Sequence, residues 1–323
     1  MPEDAGSYRY SAVMMGSPIL LKLFQPDETL ARRVFQLIKQ LENLLTVNRS
    51  PSQVMAINQA AGRHAVSVSL PVYQLIKLAR EASLIPGGCF NFAIGPLVKR
   101  WKIGFQGHSV PPADDIARLL PLINPRDIEL DDATQSVFLR HVGMEIDLGA
   151  IAKGWIADRV QDYLRQQGVD QALINLGGNV QTLGSPPHAH RWNWRVGLQK
   201  PFASRETLIG TIDVAAMSVV TSGVYERFFL LNGHHYHHIL DPATGYPLDN
   251  ELLSVTVVSR RSVDGDIFTT LLYGMGIGRG CQMLQGYTDI EAVFVTRDLR
   301  VICSSRRLFD FTLTDKQYRM ASD

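Results

Sequence analysis

Apolar residues recur every three or four positions over residues 28–46, where Leu30, Val34, Ile38, Leu41 and Leu45 fall on one stripe. That spacing predicts an amphipathic helix. Residues 71–84 and 113–122 predict two more helices, the second short. Residues 19–24 form a strand-like apolar run, and residues 127–147 alternate in short strand-like pieces. A helix is expected after Gly149, with Ile156, Val160, Tyr163 and Leu164 on one stripe, ending near Gln167 at Gly168. Beyond it the pattern turns mostly β. Candidate strands cover 171–176, 193–198, 207–213, 217–221, 225–231 and 236–240. A strand at 252–259 leads into a helix from about Val263 to Gly276, and 291–296 with 300–304 reads as a closing hairpin. Such grouping predicts an α+β fold rather than a regular βαβ alternation. No repeat, low-complexity tract or clear linker divides the chain, which reads as one large domain or two intimate halves.

Composition narrows the function classes. The chain has 323 residues, 46% of them hydrophobic and 20% charged, which suits a soluble globular protein with a large core. A net charge of +1 leaves no basic field for nucleic acid, and the basic clusters are only the pairs Arg260-Arg261 and Arg306-Arg307. Cys89, Cys281 and Cys303 are scattered and odd in number, without a CxxC. That argues against a zinc site or a disulfide framework and fits a reducing compartment. Met1-Pro2-Glu3-Asp4 puts acid where a signal peptide carries Lys or Arg, and Gly16-Ser17-Pro18 breaks the apolar stretch from Val13 to Leu21. No secretion signal or membrane span is expected, and a cytoplasmic location is.

The richest segment is Asp147-Leu148-Gly149-Ala150-Ile151-Ala152-Lys153-Gly154, between extended Met144-Glu145-Ile146 and a helix. A strand, a small-residue turn and a helix N-terminus offer free N–H groups and a positive dipole end to an anion. Asp147 and Lys153 add a charge of each sign, and both are expected to have partners. The turn suits a phosphate-bearing ligand, with or without a metal; close packing alone explains its small residues equally well. Neither GxxxxGK[ST] nor GxGxxG is present there.

Three other clusters carry candidate chemistry. His234-His235-Tyr236-His237-His238 holds four of the nine histidines. On a strand, His235 and His237 share one face, and His234, Tyr236 and His238 the other. This is either a metal or catalytic site, with His238 nearest the following turn as first candidate, or an exposed hairpin tip. Asp266 and Thr270 lie four apart, on one helix face. They are hard oxygen ligands suited to Mg2+ but too few alone, and a dipole-satisfying acid with a back-bonding threonine explains them too. Cys89-Phe90-Asn91 sets an aromatic beside an amide, as a flat heterocycle requires, although core packing also accounts for Phe90.

In order along the chain, these segments resemble the FAD:protein FMN transferase (ApbE) family. Met15-Gly16-Ser17 resembles its Met-Gly-Thr opening strand, and Ser52, Ile57 and Asn58 its Ser-Glu…Asn segment. Gly88-Cys89-Phe90-Asn91…Gly95-Pro96-Leu97-Val98…Trp101 is similar to G-x-F-D…G-P-L-V…W. Asp147 to Gly154 resembles D-L-G-G-I-A-K-G, and Asn175-Leu176-Gly177-Gly178-Asn179 resembles N-x-G-G-[DN]. Thr221-Ser222-Gly223 with Tyr225-Glu226-Arg227 resembles S-G-x-Y-E-R. His238-Ile239-Leu240-Asp241-Pro242…Thr244-Gly245…Pro247 resembles H-I-I-D-P-x-T-G-x-P, and Asp266, Thr270 and Gly276 fit D-x-x-x-T…G.

The resemblance implies a mixed-sheet core with flanking helices, in a single transferase domain over residues 1–323. It implies an enzyme that needs Mg2+, splits FAD and attaches FMN to a Thr or Ser of a target flavoprotein, releasing AMP. By position, Mg2+ would be held by Asp266, Thr270 and the Ala150 carbonyl. FAD contacts fall on Met15, Cys89, Phe90, Asn91, Asp147, Lys153 and Ile239, and His238 falls near the phosphates. Asn91 departs from the family's aspartate and loses its charge. An FAD carrier or assembly protein would share the site without Mg2+ chemistry, against which Asp266, Thr270 and Lys153 argue. A Mg2+-dependent FAD pyrophosphatase, with water replacing the protein hydroxyl, fits the same residues. A histidine-cluster metalloprotein ranks below both, since HExxH is absent.

Overall fold

The computed structural model describes residues 6–187 and 193–321, so Met1–Asp4 lie outside the described residues. The described chain opens with a hairpin of β1 (Tyr8–Met14) and β2 (Ser17–Leu23). It continues through α1 (Glu28–Leu45), α2 (Gln53–Gln59), β3 (Val66–Ser67) and α3 (Leu70–Ser83). Two short helices, α4 (Gly95–Trp101) and α5 (Ala113–Leu119), lead to β4 (Ile128–Asp131) and β5 (Ser136–Leu139). After α6 (Ala152–Gln166) come β6 (Ala172–Leu176), β7 (Asn179–Leu183), β8 (Trp194–Gln199), β9 (Leu208–Val214) and β10 (Ser218–Gly223). A small hairpin of β11 (Phe228–Leu231) and β12 (His234–His237) precedes β13 (Leu252–Ser259) and the long α7 (Ser262–Leu284). The chain closes with β14 (Ile290–Thr296), β15 (Arg300–Cys303), β16 (Asp310–Leu313) and β17 (Arg319–Ala321).

Nine strands form the central sheet in the order β1-β2-β6-β7-β10-β13-β14-β15-β17. Neighbours are antiparallel except β15 and β17. Strand β14 shows why this sheet is the middle layer, because all seven of its residues are buried. Ala292 and Phe294 join the core built with α1, α3, α6 and α7. Val293 and Val295 point the other way, into a core built with the three-stranded sheet β16-β9-β8. Side chains alternate across a strand, so a strand covered on both faces reads as an unbroken apolar run. The α+β expectation holds: helices cover one face of a mixed sheet and a smaller sheet covers part of the other.

Helix α1 matches its expected span, and Asp27 caps it by accepting from the Leu30 N–H at 2.8 Å. The helix expected to end at Gly276 instead breaks there, at φ 74°, and continues to Leu284. The pairing of β11 with β12 is shorter than the expected 225–231 and 236–240, since Tyr225–Arg227 and His238 lie outside the ladder. Strands β1 and β7 were not expected. β1 is largely exposed and carries little apolar signal, and β7 buries polar Asn179, Gln181 and Thr182.

Helices α6 and α7 meet closely enough that a Cβ on Gly154 would strike the Ser262 carbonyl. Each supplies a carboxylate to the other's first turn. Asp158 of α6 accepts from the N–H groups of Ser262 at 2.7 Å and Val263 at 3.0 Å. Asp266 of α7 accepts from the Gly154 N–H at 2.5 Å. Asp158→Ala is therefore expected to lower stability by about 1–2 kcal/mol in urea denaturation, the scale of a lost N-cap. Burial raises the Asp158 carboxyl to about 6 despite those bonds. The folded state thus holds a proton that the unfolded chain has lost, and this site's contribution weakens as pH rises from about 4 to 6.

Candidate active site

Two hairpin turns and a helix start meet at one end of the sheet. Met15 and Gly16, at φ 51° and 66°, turn β1 into β2. Positive φ at both turn residues is the type I′ geometry that matches strand twist. Met15 is a side-chain-bearing residue held in a sparsely populated region, a conformation that persists where surroundings fix it. Gly177 and Gly178 make the equivalent turn between β6 and β7. Because β2 pairs with β6, the turns are neighbours: a Cβ on Gly177 would stand 2.5 Å from the Ser17 Cβ and 3.1 Å from the Lys153 Nζ. Lys153 rises from the first turn of α6 and donates to Ser17 Oγ at 3.3 Å.

Asp266 is 9% exposed and held by a chain of buried hydrogen bonds. Ser218 Oγ donates to Ser262 Oγ at 2.9 Å, and Ser262 Oγ donates to Asn179 Oδ1 at 2.6 Å. The Asn179 amide donates to Asp266 Oδ1 at 3.0 Å, while Oδ2 takes the Gly154 N–H. The expected anion site at the α6 N-terminus is thus partly occupied by the chain's own carboxylate. Burial raises the Asp266 carboxyl to about 7 against the pull of Gly154, Asn179 and Lys153. Each carboxylate oxygen retains a second lone pair after accepting one bond.

Arg227 links the remaining groups. Its charge acts on Asp147, Lys153, Glu226 and His238. The Lys153 ammonium is pushed down by burial first and then by Arg227, while Asp266 and Glu226 pull it back up. Burial raises the Asp147 carboxyl, and its Oδ1 accepts from the Gly149 N–H at 2.7 Å. Both charges of the turn therefore have partners, as expected. His238 Nδ1 lies 3.2 Å from the Arg227 carbonyl, which only accepts, so that nitrogen carries the proton and Nε2 keeps its lone pair. Burial and Arg227 lower the His238 imidazole to about 4, so it is neutral at pH 7.

Glu226, next to Arg227, is exposed to solvent. Neither Glu226 nor Arg227 was a candidate from sequence beyond its place in Tyr225-Glu226-Arg227, and Asn179 was likewise seen only as the end of the Gly177-Gly178 motif. Their roles arise from residues far apart in the chain.

The flavin-side candidates are placed differently. Cys89 is buried against α7 and donates its thiol to the Thr270 carbonyl at 3.0 Å. Burial lifts that thiol to about 12, which keeps it protonated and unreactive. Phe90 and Ile239 belong to the main core. Both ends of the Asn91 amide are engaged, donating to the Ile123 carbonyl at 2.8 Å and accepting from the Ala93 N–H at 2.8 Å. The histidine tip divides as strand alternation predicts: His234 packs edge-on to Tyr236, and His235 lies against Phe202 and Phe228. Its fellow His237 is buried, with Nε2 2.9 Å from the Leu248 carbonyl.

Asp266, half-buried Thr270 one turn on, and the carbonyl of Ala150, in the turn that opens α6, are hard oxygen donors. That chemistry fits Mg2+. Among the described residues no group of three or more His, Cys, Asp or Glu could hold a metal ion. Further oxygens would come from phosphate or water.

Residues 15–294 match the ApbE family. A protein of Klebsiella pneumoniae (strain 342) named FAD:protein FMN transferase is 59% identical over 317 residues, 98% of each chain. A protein of the same name from Treponema pallidum (strain Nichols) is 37% identical, over 84% of this chain and 78% of its own. The crystal structure of the ApbE protein from Thermotoga maritima superposes with a TM-score of 0.79 at 26% identity, covering 90% of this chain and 94% of that one. The flavin transferase ApbE from Vibrio cholerae has the same fold, with a TM-score of 0.80 at 24% identity over 96% and 98%. On the family match and these identities over nearly its whole length, the chain belongs to the ApbE family.

Proposed function

We propose that this chain is an FAD:protein FMN transferase. It cleaves FAD at the pyrophosphate, joins FMN through a phosphoester to a Thr or Ser hydroxyl of a target flavoprotein, and releases AMP. The observation that carries this reading is the start of α6, where Lys153 stands beside the two hairpin turns, the Gly154 N–H meets Asp266, and the charge of Arg227 acts on both Lys153 and His238. Lys153 and Arg227 repel each other there, and Lys153 is short of water. A pyrophosphate relieves both penalties, and its charge counts for more where solvent is excluded. The neutral His238 keeps the Nε2 lone pair for a ligand, with its tautomer set by the Arg227 carbonyl.

Asp266, Thr270 and the Ala150 carbonyl would hold Mg2+, and the Ser218–Ser262–Asn179 chain keeps Asp266 aimed. An Mg2+ ion held by these residues would supply positive charge to offset that on the transferred phosphoryl group. Met15, Asp147 and Lys153 contact FAD through the two turns and the start of α6. Cys89, Phe90, Asn91 and Ile239 act through backbone and shape, since their side chains are engaged within the protein. The partner is a flavoprotein bearing the acceptor hydroxyl. The free thiols of Cys89 and Cys303 favour a reducing compartment such as the cytoplasm. No helix among the described residues is long and apolar enough to cross a membrane.

The test follows AMP by chromatography in a mixture of this protein, FAD, Mg2+ and a flavoprotein acceptor. AMP is expected to appear in equal amount with protein-bound flavin, and EDTA is expected to stop both. AMP matched instead by free FMN would assign a pyrophosphatase. Bound FAD without AMP would assign a carrier.

A further inference from the structure

We propose that an exposed aromatic patch on the outer face of the β11–β12 hairpin seats the acceptor flavoprotein, a role that rests on the transferase reading above. Alternate residues of a strand face opposite ways. Phe229 and Tyr236, opposite each other in the ladder, turn inward onto Trp101. Phe228, Leu230 and His235 turn outward and are open to solvent. Phe202, from the turn between β8 and β9, joins them. Its ring centroid lies 5.4 Å from that of Phe228, 4.9 Å from His235 and 6.0 Å from Tyr225.

The chain holds that ring out against its own preferences. Phe202 is 48% exposed and sits at φ 60°, a left-handed conformation that disfavours a residue with a side chain. The turn around it is fastened. The Lys200 N–H donates to the Thr207 carbonyl at 2.8 Å, and Gln199 Nε2 donates to the Ala203 carbonyl at 3.1 Å. Lys200 Nζ donates to Asp315 at 2.8 Å. Strain and an exposed aromatic ring at one residue, beside Leu230 at 60% exposure, point to a contact made outside the chain. Apart from Phe105, the other large exposed hydrophobics are spread over β1, α3, β17 and two turns.

The position of the patch says what covers it. Its first rung pairs Phe228 with His237. The next residues, Arg227 and His238, close that end of the hairpin. The Arg227 carbonyl accepts from the His238 N–H and from His238 Nδ1, each at 3.2 Å. The patch therefore begins one residue away from the imidazole assigned to the phosphates. Phe105, 64% exposed and 5.8 Å from the Arg227 guanidinium, extends the apolar rim. A protein that brings a hydroxyl to this point must rest its surface on what adjoins His238. The partner that fits carries an apolar side chain about two to four residues from its acceptor hydroxyl, since an extended chain advances about 3.3 Å per residue.

Phe202→Gly removes the ring and suits φ 60°, and Leu230→Ser removes an exposed side chain, so both are expected to keep the parent's unfolding midpoint. Leu70→Ser, on α3, is the control. Each is titrated with FAD and Mg2+, sized by gel filtration and assayed for transfer over a range of flavoprotein concentrations. Calorimetry measures direct binding of the same flavoprotein with its acceptor residue changed to alanine. Phe202→Gly and Leu230→Ser are each expected to weaken that binding, and to raise the acceptor KM, about tenfold. Their FAD Kd and kcat are expected to stay within about twofold of the parent, as are all values for Leu70→Ser. Acceptor binding by both variants within about twofold of the parent would overturn the surface. So would an equal loss of FAD affinity, which would assign the patch to the flavin ring. A parent dimer that the variants dissociate, with acceptor binding kept, would assign it to a second copy and overturn it too. If the parent transfers no FMN, the transferase reading fails and takes this surface with it. A parent that transfers, with variants that bind the acceptor equally well, removes the surface alone.

Discussion

Asp266→Asn is expected to lower FMN transfer by about a thousandfold without lowering stability at pH 8. The loss of rate follows from removing the one carboxylate among the proposed metal donors, on the scale of losing a preorganised charge-stabilising group. The stability result follows from two opposed terms. The parent carboxylate accepts from two donors, and an amide accepts from only one, so a donor is left facing a donor at a cost of about 1–3 kcal/mol. Against that, the Asp266 carboxyl is raised to about 7, so ionising it at pH 8 costs the metal-free fold on the order of 4 kcal/mol. The second term is at least as large. In the parent without metal, stability falls as pH rises from about 4 to 7, because the folded state holds a proton the unfolded chain has released. The variant loses that slope. Unfolding midpoints in EDTA across this range check the point, and a matching slope in the variant would reject it.

Lys153→Met is expected to weaken FAD binding about 10- to 100-fold and to leave the fold as stable as the parent or more so. One charge-assisted bond to phosphate is worth about 1.5–3 kcal/mol, which sets the affinity loss. The stability result comes from the lowered Lys153 ammonium, which shows that burial and Arg227 outweigh Asp266 and Glu226. A lysine with a lowered pKa binds fewer protons folded than unfolded, so its charge opposes folding at neutral pH and the penalty fades as pH rises. Methionine keeps most of the stem's packing without the charge. A residue retained at such a cost is one that function needs. FAD titration with Mg2+, beside denaturation of the same samples, measures both effects. Unchanged FAD affinity would reduce Lys153 to a partner of Ser17 at the hairpin turns.

Much of this site was legible one segment at a time. The Asp147–Gly154 turn announced a helix start with charge on it, and both charges do find partners. Asp266 and Thr270 are one helical turn apart, as their spacing required. Hidden were relations set only by folding. Nothing local to Gly154 says that its N–H will meet Asp266 from α7, or that Ser218, Ser262 and Asn179 will hold that carboxylate. Strand β7 escaped notice because the polar residues that build this network replace the apolar alternation of a strand. Arg227 lies just ahead of an aromatic strand, and only the pairing of β11 with β12 brings His238 back to its carbonyl. Asn91 shows the converse. An amide beside an aromatic suggested ligand recognition, and the fold uses it to tie Ile123 and Ala93 together.

The most direct measurement is the mass of a flavoprotein acceptor, intact and as peptides, after incubation with this protein, FAD and Mg2+. The account predicts an FMN-sized gain on one threonine or serine, absent with EDTA and absent without this protein. An unmodified acceptor, with AMP and free FMN accumulating in solution, would contradict it.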